Sequence, residues 1–216
     1  MNNKIILFSA LFLVVYSFNA YGVDVFKWQG NIDWNDLHNE IDYAIIRAGY
    51  GTGNEDSKYE RNYQNAKATN TPIGVYWYSY AYSPEQARNE ANSLLPLLAG
   101  RQFEYPIYYD IEEPDIFATG LTSEIAKAFC EILEQNKYYC GLYSSSSSFK
   151  SYFNDEVKTA YALWVAQWSS SEPTLNWGMW QYSSKGKKSG IDGNVDLDQC
   201  RVDYTTAIKE NHLNGY

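Results

Sequence analysis

Histidine and cysteine, which supply most metal centres and many nucleophilic sites, are scarce in this chain. Its 216 residues include two histidines and three cysteines. His38 and His212 lie far apart in the sequence, and no catalytic motif surrounds either of them, so a histidine-based triad or metal site is not expected. The spacing of the cysteines fits no zinc motif. We therefore expect neither a metal nor a cofactor.

An excess of positive charge is also missing. The chain carries 17 Lys and Arg against 26 Asp and Glu, a formal net charge of -9. Proteins that bind nucleic acids present a basic face to the phosphates, so nucleic acid is excluded as a partner. The one basic cluster, residues 185–188, is short and flanked by glycine and serine, which predicts a solvated loop.

Long apolar runs are confined to the N-terminus. Residues 5–18 form an apolar run that follows Lys4 and is too short to cross a bilayer comfortably. Ala20 and Gly22 supply small side chains at the -3 and -1 positions of a cleavage site. We predict a secretory signal peptide over 1–22 and a single domain over 23–216. The product is expected to be a monomer without membrane association, secreted or delivered to a lysosomal or phagosomal vesicle.

The three cysteines leave two interpretations open. An oxidising compartment favours one disulfide with one thiol left over. Cys130 and Cys140 would suit such a pair if they lie level on a helix and on the strand that follows it. Three buried thiols, with Cys200 as the third, are the alternative.

Strand-like and helix-like segments alternate through the first two thirds of the chain. Apolar, β-branched and aromatic runs predict strands, and helical periodicity or a cap predicts a helix after most of them. Three short strands follow, joined by loops rich in Gly, Ser and Pro. This order predicts an α/β fold with a TIM-like barrel of about five βα units and three further strands. The predicted strands cover residues 23–28, 43–49, 73–81, 105–114, 138–144, 163–168, 179–182 and 195–197. Residues 144–148 are predicted to be a loop, with a small helix over 149–157.

Acidic side chains cluster at the predicted strand ends. In YPIYYDIEEP, residues 105–114, strand alternation places Asp110 and Glu112 on one face and Glu113 on the other. Crowded carboxylates raise each other's proton affinity, and one protonated and one ionised carboxyl group is what glycosidic cleavage requires. Asp24 and Asp196 would join them, because the first and last strands of a barrel are neighbours. The same residue types would also suit a divalent cation.

Asp192 and Asp198, close to Asp196 in the sequence, are predicted to be ordinary loop residues.

Seven stretches resemble family 25 of the glycoside hydrolases, the Chalaropsis-type lysozymes, and most closely its amoeba and nematode branch. They occur in the family's order and cover nearly all of residues 23–200. They read VDVFKWQGNIDW, YAIIRAGYG, GVYWYSYA, PIYYDIEE, LWVAQW, MWQYSS and GIDGNVDLD. Phe26 stands where the family usually has serine. The resemblance implies a flattened β/α barrel and a muramidase that cuts the β-1,4 bond between N-acetylmuramic acid and N-acetylglucosamine in peptidoglycan.

The resemblance also implies roles for individual residues. Glu112 would be the proton donor and Asp110 the ionised partner that orients the substrate or stabilises the transition state, with Asp24 and Asp196 flanking them. Four aromatic residues are predicted to line the substrate groove by stacking and hydrogen bonding. They are Tyr76, Tyr78, Trp164 and Trp180.

Two other functions use similar features. A family 18 chitinase also has a strand-four acid, but its DxxDxDxE pattern is not present in YYDIEEP, which lacks the two upstream aspartates. A non-catalytic glycan-binding module on the same fold would be expected to lose the acids of the DxE motif, and both are present. The muramidase is therefore the favoured prediction.

Overall fold

The computed structural model describes residues 18–216. Most of the predicted signal peptide lies outside the described residues. The first strand begins at Ala20, so three of its residues belong to the segment predicted to be removed. Within residues 18–216, no helix combines the length and the apolar character that crossing a membrane would need.

Nine strands and eight helices make up the described chain. The strands are β1 (Ala20–Val25), β2 (Tyr43–Tyr50), β3 (Asn54–Glu55), β4 (Ile73–Tyr78), β5 (Ile107–Asp110), β6 (Cys140–Ser145), β7 (Ala162–Ala166), β8 (Met179–Gly186) and β9 (Val195–Cys200). The helices are α1 (Trp34–Leu37), α2 (Tyr59–Ala68), α3 (Pro84–Leu98), α4 (Pro114–Ala118), α5 (Thr122–Gln135), α6 (Ser146–Tyr152), α7 (Asp155–Ala160) and α8 (Tyr204–Glu210). A 3-10 turn, Lys27–Gln29, follows β1.

The strands close into a barrel, as the sequence predicts. The order is β1-β9-β8-β7-β6-β5-β4-β2, and β1 pairs with β2 to complete the ring, while β3 lies outside on β2. Seven barrel strands run parallel and β9 runs antiparallel to both its neighbours. The connection from β8 to β9 is short, and a short hairpin can join only antiparallel strands. The amino end of β9 therefore lies at the same mouth as the carboxyl ends of the others.

The serine-rich run after β6 is not a loop, and this prediction is wrong. Ser146 begins α6, and the side chain of Ser145 caps it by accepting a hydrogen bond of 3.0 Å from the backbone N–H of Ser148. A second helix, α7, begins after Asn154, which accepts a similar bond from Val157. Serine and asparagine favour both loops and helix N-caps, so composition alone did not separate the two.

Large aromatic rings fill the barrel below the mouth. Tyr43 and Tyr108 are fully buried there. Their rings occupy space beside Gly22 and Gly141, where an added Cβ would come within 2.5 Å of them. Tyr109, one residue after Tyr108, points outward and stacks on Phe129 of α5 at a centroid distance of 3.8 Å. These interior rings form the floor beneath the mouth of the barrel.

A disulfide joins Cys130 of α5 to Cys140 of β6, with a Cα–Cα distance of 5.4 Å. Cys200 is a free, buried thiol. The structure thus selects the first of the two interpretations of the cysteines. The bond joins α5 to β6, and β6 is the neighbour of β5, the strand that ends at Asp110.

Removing this disulfide is expected to lower the free energy of unfolding by about 3 kcal/mol, because the closed loop of about ten residues restricts the unfolded chain. Urea unfolding of wild-type protein with and without reductant, and of the C130A/C140A variant, measures the effect. Reductant should shift the wild-type midpoint to that of the variant and leave the variant unchanged. Three reactive thiols in unfolded, unreduced protein would contradict the bond; one is expected.

Candidate active site

Three aspartates meet at the mouth of the barrel. Asp24 is near the carboxyl end of β1 and pairs directly with Asp196 of β9. Asp110 is the last residue of β5. Asp24 and Asp110 are each 4% exposed, and Asp196 is half-buried. The antiparallel direction of β9 brings Asp196, near the start of its strand, level with residues at the ends of the parallel strands.

Burial and mutual repulsion raise the proton affinity of this cluster. Burial raises the pKa of Asp24 well above its ordinary value, and the charge of Asp196 adds to the effect. Burial likewise raises the pKa of Asp110, followed by the charges of Glu112 and Asp24. Burial raises the pKa of Asp196 to about 6. Such a cluster holds protons at a pH where isolated aspartates have lost them.

Glu112 completes the predicted set, although it does not lie on a strand. β5 ends at Asp110, and Glu112 belongs to the connection to α4, with its side chain exposed at the mouth. Although the residue is exposed, the walls of the mouth partly desolvate its carboxyl group, and this desolvation raises the pKa of Glu112. The charges of Glu113 and Asp196 also raise it, while a hydrogen bond from the hydroxyl of Tyr78 lowers it. A carboxyl group that is accessible and keeps its proton to a higher pH than usual suits a proton donor.

Glu113 also faces the mouth, which corrects the prediction that it points to the other face. Its Oε1 accepts a hydrogen bond of 2.6 Å from the hydroxyl of Tyr78. Its charge also raises the pKa of Glu112 and of Asp110. Strand alternation does not apply here, because the strand ends before this residue.

Asp198 is a site residue that the sequence prediction missed. It lies within β9 and is fully buried, not part of a loop. Its Oδ1 accepts a hydrogen bond of 2.7 Å from Nε1 of Trp164. Burial raises its pKa well above the ordinary value, and the charge of Asp24 adds to this. The signal was present, because a strand extended beyond residue 197 would have placed Asp196 and Asp198 on one face.

Gln181 of β8 links the acids to the aromatic residues around them. Its Nε2 donates to Oδ2 of Asp24 at 2.7 Å. Its Oε1 accepts from the hydroxyl of Tyr143 and from Nε1 of Trp168, both at 3.0 Å. The sequence prediction missed this role, since a glutamine in the middle of MWQYSS has no distinguishing local signal.

Arg47 brings a positive charge to the same mouth. Its Nε and Nη2 donate to Oδ2 of the buried Asp56 at 2.8 and 2.6 Å. Its guanidinium lies over the ring of Phe26, 4.4 Å from the centroid. Its charge lowers the pKa of Asp110, in opposition to burial. An arginine inside the apolar run YAIIRAG was the sequence signal for this residue, and the prediction did not use it.

The four predicted groove aromatics divide into two groups. Tyr76 is buried inside the barrel beside the acids, and Tyr78 is half-buried at the mouth. Trp164 is 1% exposed and lies below the acids, in edge contact with Tyr76. Trp180 is 6% exposed and packs on Trp177 outside the barrel. The last two have no free ring face, so a stacking role in a groove does not fit their position.

Other aromatic side chains line the open space at the mouth. Trp28 and Trp168 are 74% and 64% exposed, and each follows a barrel strand, β1 and β7. A cavity of about 270 Å³ at the mouth is lined by Lys27, Trp28, Arg47, Tyr50, Tyr78 and Tyr80. Exposed indole and phenol rings beside carboxyl groups suit a polar ligand with flat apolar faces, such as a sugar.

The arrangement favours acid–base chemistry on such a ligand. It combines an accessible glutamic acid with a raised pKa and buried aspartates at one opening. In residues 18–216 no group of three or more His, Cys, Asp or Glu side chains is arranged to hold a metal ion.

The chain is similar in sequence and fold to known proteins. The autolytic lysozyme of Clostridium acetobutylicum is 27% identical over 181 residues, which cover 82% of this chain and 55% of that protein. The catalytic domain of endolysin ply40, from bacteriophage P40 of Listeria monocytogenes, has a TM-score of 0.77 at 25% identity, covering 89% of this chain and 98% of that one.

A third relative carries a ligand. The modular autolysin LytC of Streptococcus pneumoniae, solved in complex with a synthetic peptidoglycan ligand, has a TM-score of 0.73 at 27% identity. The match covers 84% of this chain and 46% of LytC, so the chain spans about half the length of that protein. The family model described as glycosyl hydrolases family 25 matches residues 23–191. With this match and the acids at the barrel mouth, the chain belongs to glycosyl hydrolases family 25.

Proposed function

We propose that this protein is a lysozyme of the muramidase type. It hydrolyses the β-1,4 bond between N-acetylmuramic acid and N-acetylglucosamine in bacterial peptidoglycan, for digestion of bacteria or defence against them. The observation that carries the proposal is the pairing of an accessible Glu112 with the buried Asp110 at one opening of the barrel. Membership of a glycoside hydrolase family supports the reaction class, and the lysozyme and autolysin relatives support the substrate.

In the proposed mechanism, Glu112 donates its proton to the oxygen that bridges the two sugars, and the bond between that oxygen and the anomeric carbon breaks. Water then adds to the anomeric carbon, and the proton that it loses restores Glu112. Asp110 reacts in its ionised form and either orients the acetamido group of the substrate or stabilises the oxocarbenium-like transition state. Its Oδ1 is buried and has no hydrogen-bond donor within the described protein, so no protein group offsets the charge on that oxygen. Asp24 and Asp196 supply the negative potential that keeps the proton on Glu112 and hold hydroxyl groups or water.

The proposed glycan path runs over the exposed rings at the mouth. Trp28 on one side and Trp168 on the other would stack on sugar rings, and the cavity beside Lys27 and Tyr80 would hold one end of the strand. Tyr78, which was predicted to contact the substrate, keeps that proposed role from its half-buried position. Rings on both sides of the acids suit cleavage inside a chain.

The test is lysis of purified bacterial walls, followed as a fall in turbidity, with mass spectrometry of the products. A muramidase releases fragments with N-acetylmuramic acid at the reducing end. Release from chitin with no release from walls would favour the family 18-like chitinase. Binding to walls with no cleavage at any pH would favour a non-catalytic glycan-binding module.

Activity is expected to be highest at mildly acidic pH. Glu112 must be protonated to act as the donor. Because its pKa is raised, it keeps the proton to a higher pH than an ordinary glutamate does, and the rate falls when rising pH removes that proton. At low pH the rate falls as Asp110 takes up a proton. Because burial and the charge of Glu112 raise the pKa of Asp110 as well, the two limbs of the profile report the pair as a whole, and both lie above the ordinary range of carboxyl groups. Measuring kcat/KM on walls between about pH 4 and pH 8 checks this. A flat profile would contradict the assignment of the two carboxyl groups.

We also propose that residues 1–22 direct the protein into the secretory route and that residues 23–216 act as a monomeric, membrane-free hydrolase domain. An acidic vesicle or the exterior of the cell suits the expected pH dependence. N-terminal sequencing of protein recovered from the medium or from vesicles would locate the first residue, and retention of residue 1 would contradict the signal peptide.

A further inference from the structure

A second pair of carboxyl groups lies inside the barrel, below the proposed proton donor. Asp198 and Asp24 occupy adjacent strands and are 0% and 4% exposed. In the register of β1 and β9, Asp198 pairs with Gly22, two residues before Asp24, so the two carboxyl groups are diagonal neighbours inside the barrel, and the charge of Asp24 raises the pKa of Asp198. Two ionised carboxylates placed this close inside the barrel would repel each other, which favours a proton on one of them.

The other partners of this pair indicate which one carries it. Oδ2 of Asp24 accepts a hydrogen bond from the amide of Gln181. Exchanging the nitrogen and oxygen of that amide would break hydrogen bonds, because its oxygen already accepts from Tyr143 and Trp168. Asp24 is therefore held as an acceptor on one oxygen and has the other free to accept again.

Asp198 has the complementary arrangement. Its Oδ1 accepts from the indole N–H of Trp164, and its Oδ2 has no donor within the described chain. Within this pair, the fully buried oxygen without a donor is the one on which a shared proton would be retained.

The hydrogen bond from Trp164 favours ionisation of Asp198, but burial and the charge of Asp24 are larger effects, and both raise the pKa of Asp198. Asp196 adds negative charge from the same strand. The remaining titratable groups whose charge interacts with that of Asp198 are neutral until strongly alkaline pH, because burial raises the pKa of each. They are Tyr43, Tyr143, Tyr182 and Cys200.

We propose that Asp198 is a neutral carboxylic acid that donates its proton to Asp24 and thereby holds Asp24 ionised and in position beside Asp196. Asp198 is a positioning residue, since it is buried below the opening and acts through Asp24. The pair then carries one negative charge, which avoids two adjacent buried charges. The kinetic part of this inference rests on the proposed muramidase function; the protonation state does not.

An amide can replace a neutral acid as a hydrogen-bond donor, and a methyl group cannot. We therefore expect Asp198→Asn to keep most of the wall-lytic activity and the wild-type pH profile. Asp198→Ala is expected to lower kcat roughly tenfold with little change in KM, because Asp24 loses its donor. Asp192→Asn, at an exposed loop position, is the matched control and should behave as wild type. Thermal unfolding of each variant checks that it folds.

The variant Asp24→Asn distinguishes a proton on Asp198 from a proton on Asp24. Asp24→Asn removes the proposed charge and should lose activity even though Asp198→Asn does not. The opposite order, with Asp24→Asn active and Asp198→Asn inactive, would overturn the proposal, as would full activity of Asp198→Ala.

Infrared spectroscopy tests the proton itself without any substrate. The C=O band of a protonated carboxylic acid should persist in the wild type at neutral pH and lose one component in Asp198→Asn. No difference between these two spectra would overturn the proposal. If the wild type does not cleave walls, the proposed function fails, and the infrared result still decides the state of Asp198.

Discussion

Glu112→Gln is expected to lower kcat on peptidoglycan by a factor of roughly 10² to 10⁴, the usual contribution of a general acid. Glutamine has nearly the same shape but no proton to transfer to the bridging oxygen. Because Glu112 is exposed at the mouth, the substitution should leave the fold and KM almost unchanged. Initial rates of wall lysis, with circular dichroism to confirm folding, measure both parts of this expectation.

Glu113 provides the matched control for this variant. It is adjacent in the sequence, lies at the same mouth and accepts a hydrogen bond from Tyr78. In our assignment it shapes the potential around Glu112 without donating a proton, so Glu113→Gln should lower kcat by no more than about tenfold. If Glu113→Gln were the inactive variant and Glu112→Gln the active one, the proton donor would have to be reassigned.

Asp110→Asn is expected to lower kcat by a factor of roughly 10² to 10³, comparable to the loss of a donor that stabilises a charged transition state. Asp110 is 4% exposed, and its Oδ1 is buried without a hydrogen-bond donor in the described protein, so its negative charge acts on the transition state through the low-dielectric mouth of the barrel. Asparagine keeps the volume but removes the charge. Stability should not fall, because a buried carboxyl group with a raised pKa becomes a neutral amide.

Steady-state rates on walls and thermal unfolding test this second variant. Asp115→Asn is its control, since Asp115 is exposed on α4, five residues further along the chain. An Asp110→Asn variant with more than about half of wild-type activity would remove Asp110 from the mechanism. An unfolded variant would mean that the carboxylate has a structural role; the Glu112→Gln result would then stand alone.

The barrel was predictable because each element has a local signal. The aromatic and β-branched run before Asp110 indicates a strand, and a serine cap and proline mark the start of α3. The change from strand–helix units to plain loops predicted the three last strands. Asp24, Asp110 and Asp196 followed from this count, because the carboxyl ends of parallel strands meet at one mouth.

The positions of the residues that the sequence prediction misplaced or missed depend on how the sheet closes into a barrel. Trp164 and Trp180 both lie in aromatic strands, yet one faces the barrel interior and the other packs against Trp177 outside it. Asp198 was taken for a loop residue because β9 continues for three residues beyond the predicted end. Each of these errors concerns which side of a strand a residue faces, or where that strand ends.

By itself the sequence determined the fold class, the order of the strands and the presence of a carboxyl pair in YYDIEEP, because these features follow from local periodicity and residue type. Only the tertiary structure decided that Gln181, Arg47 and Asp198 join that pair. Their positions depend on hydrogen bonds to residues distant in the chain, such as the bond of Gln181 to Asp24, 157 residues away. Closing the ring of strands creates such neighbours, and no local pattern encodes them.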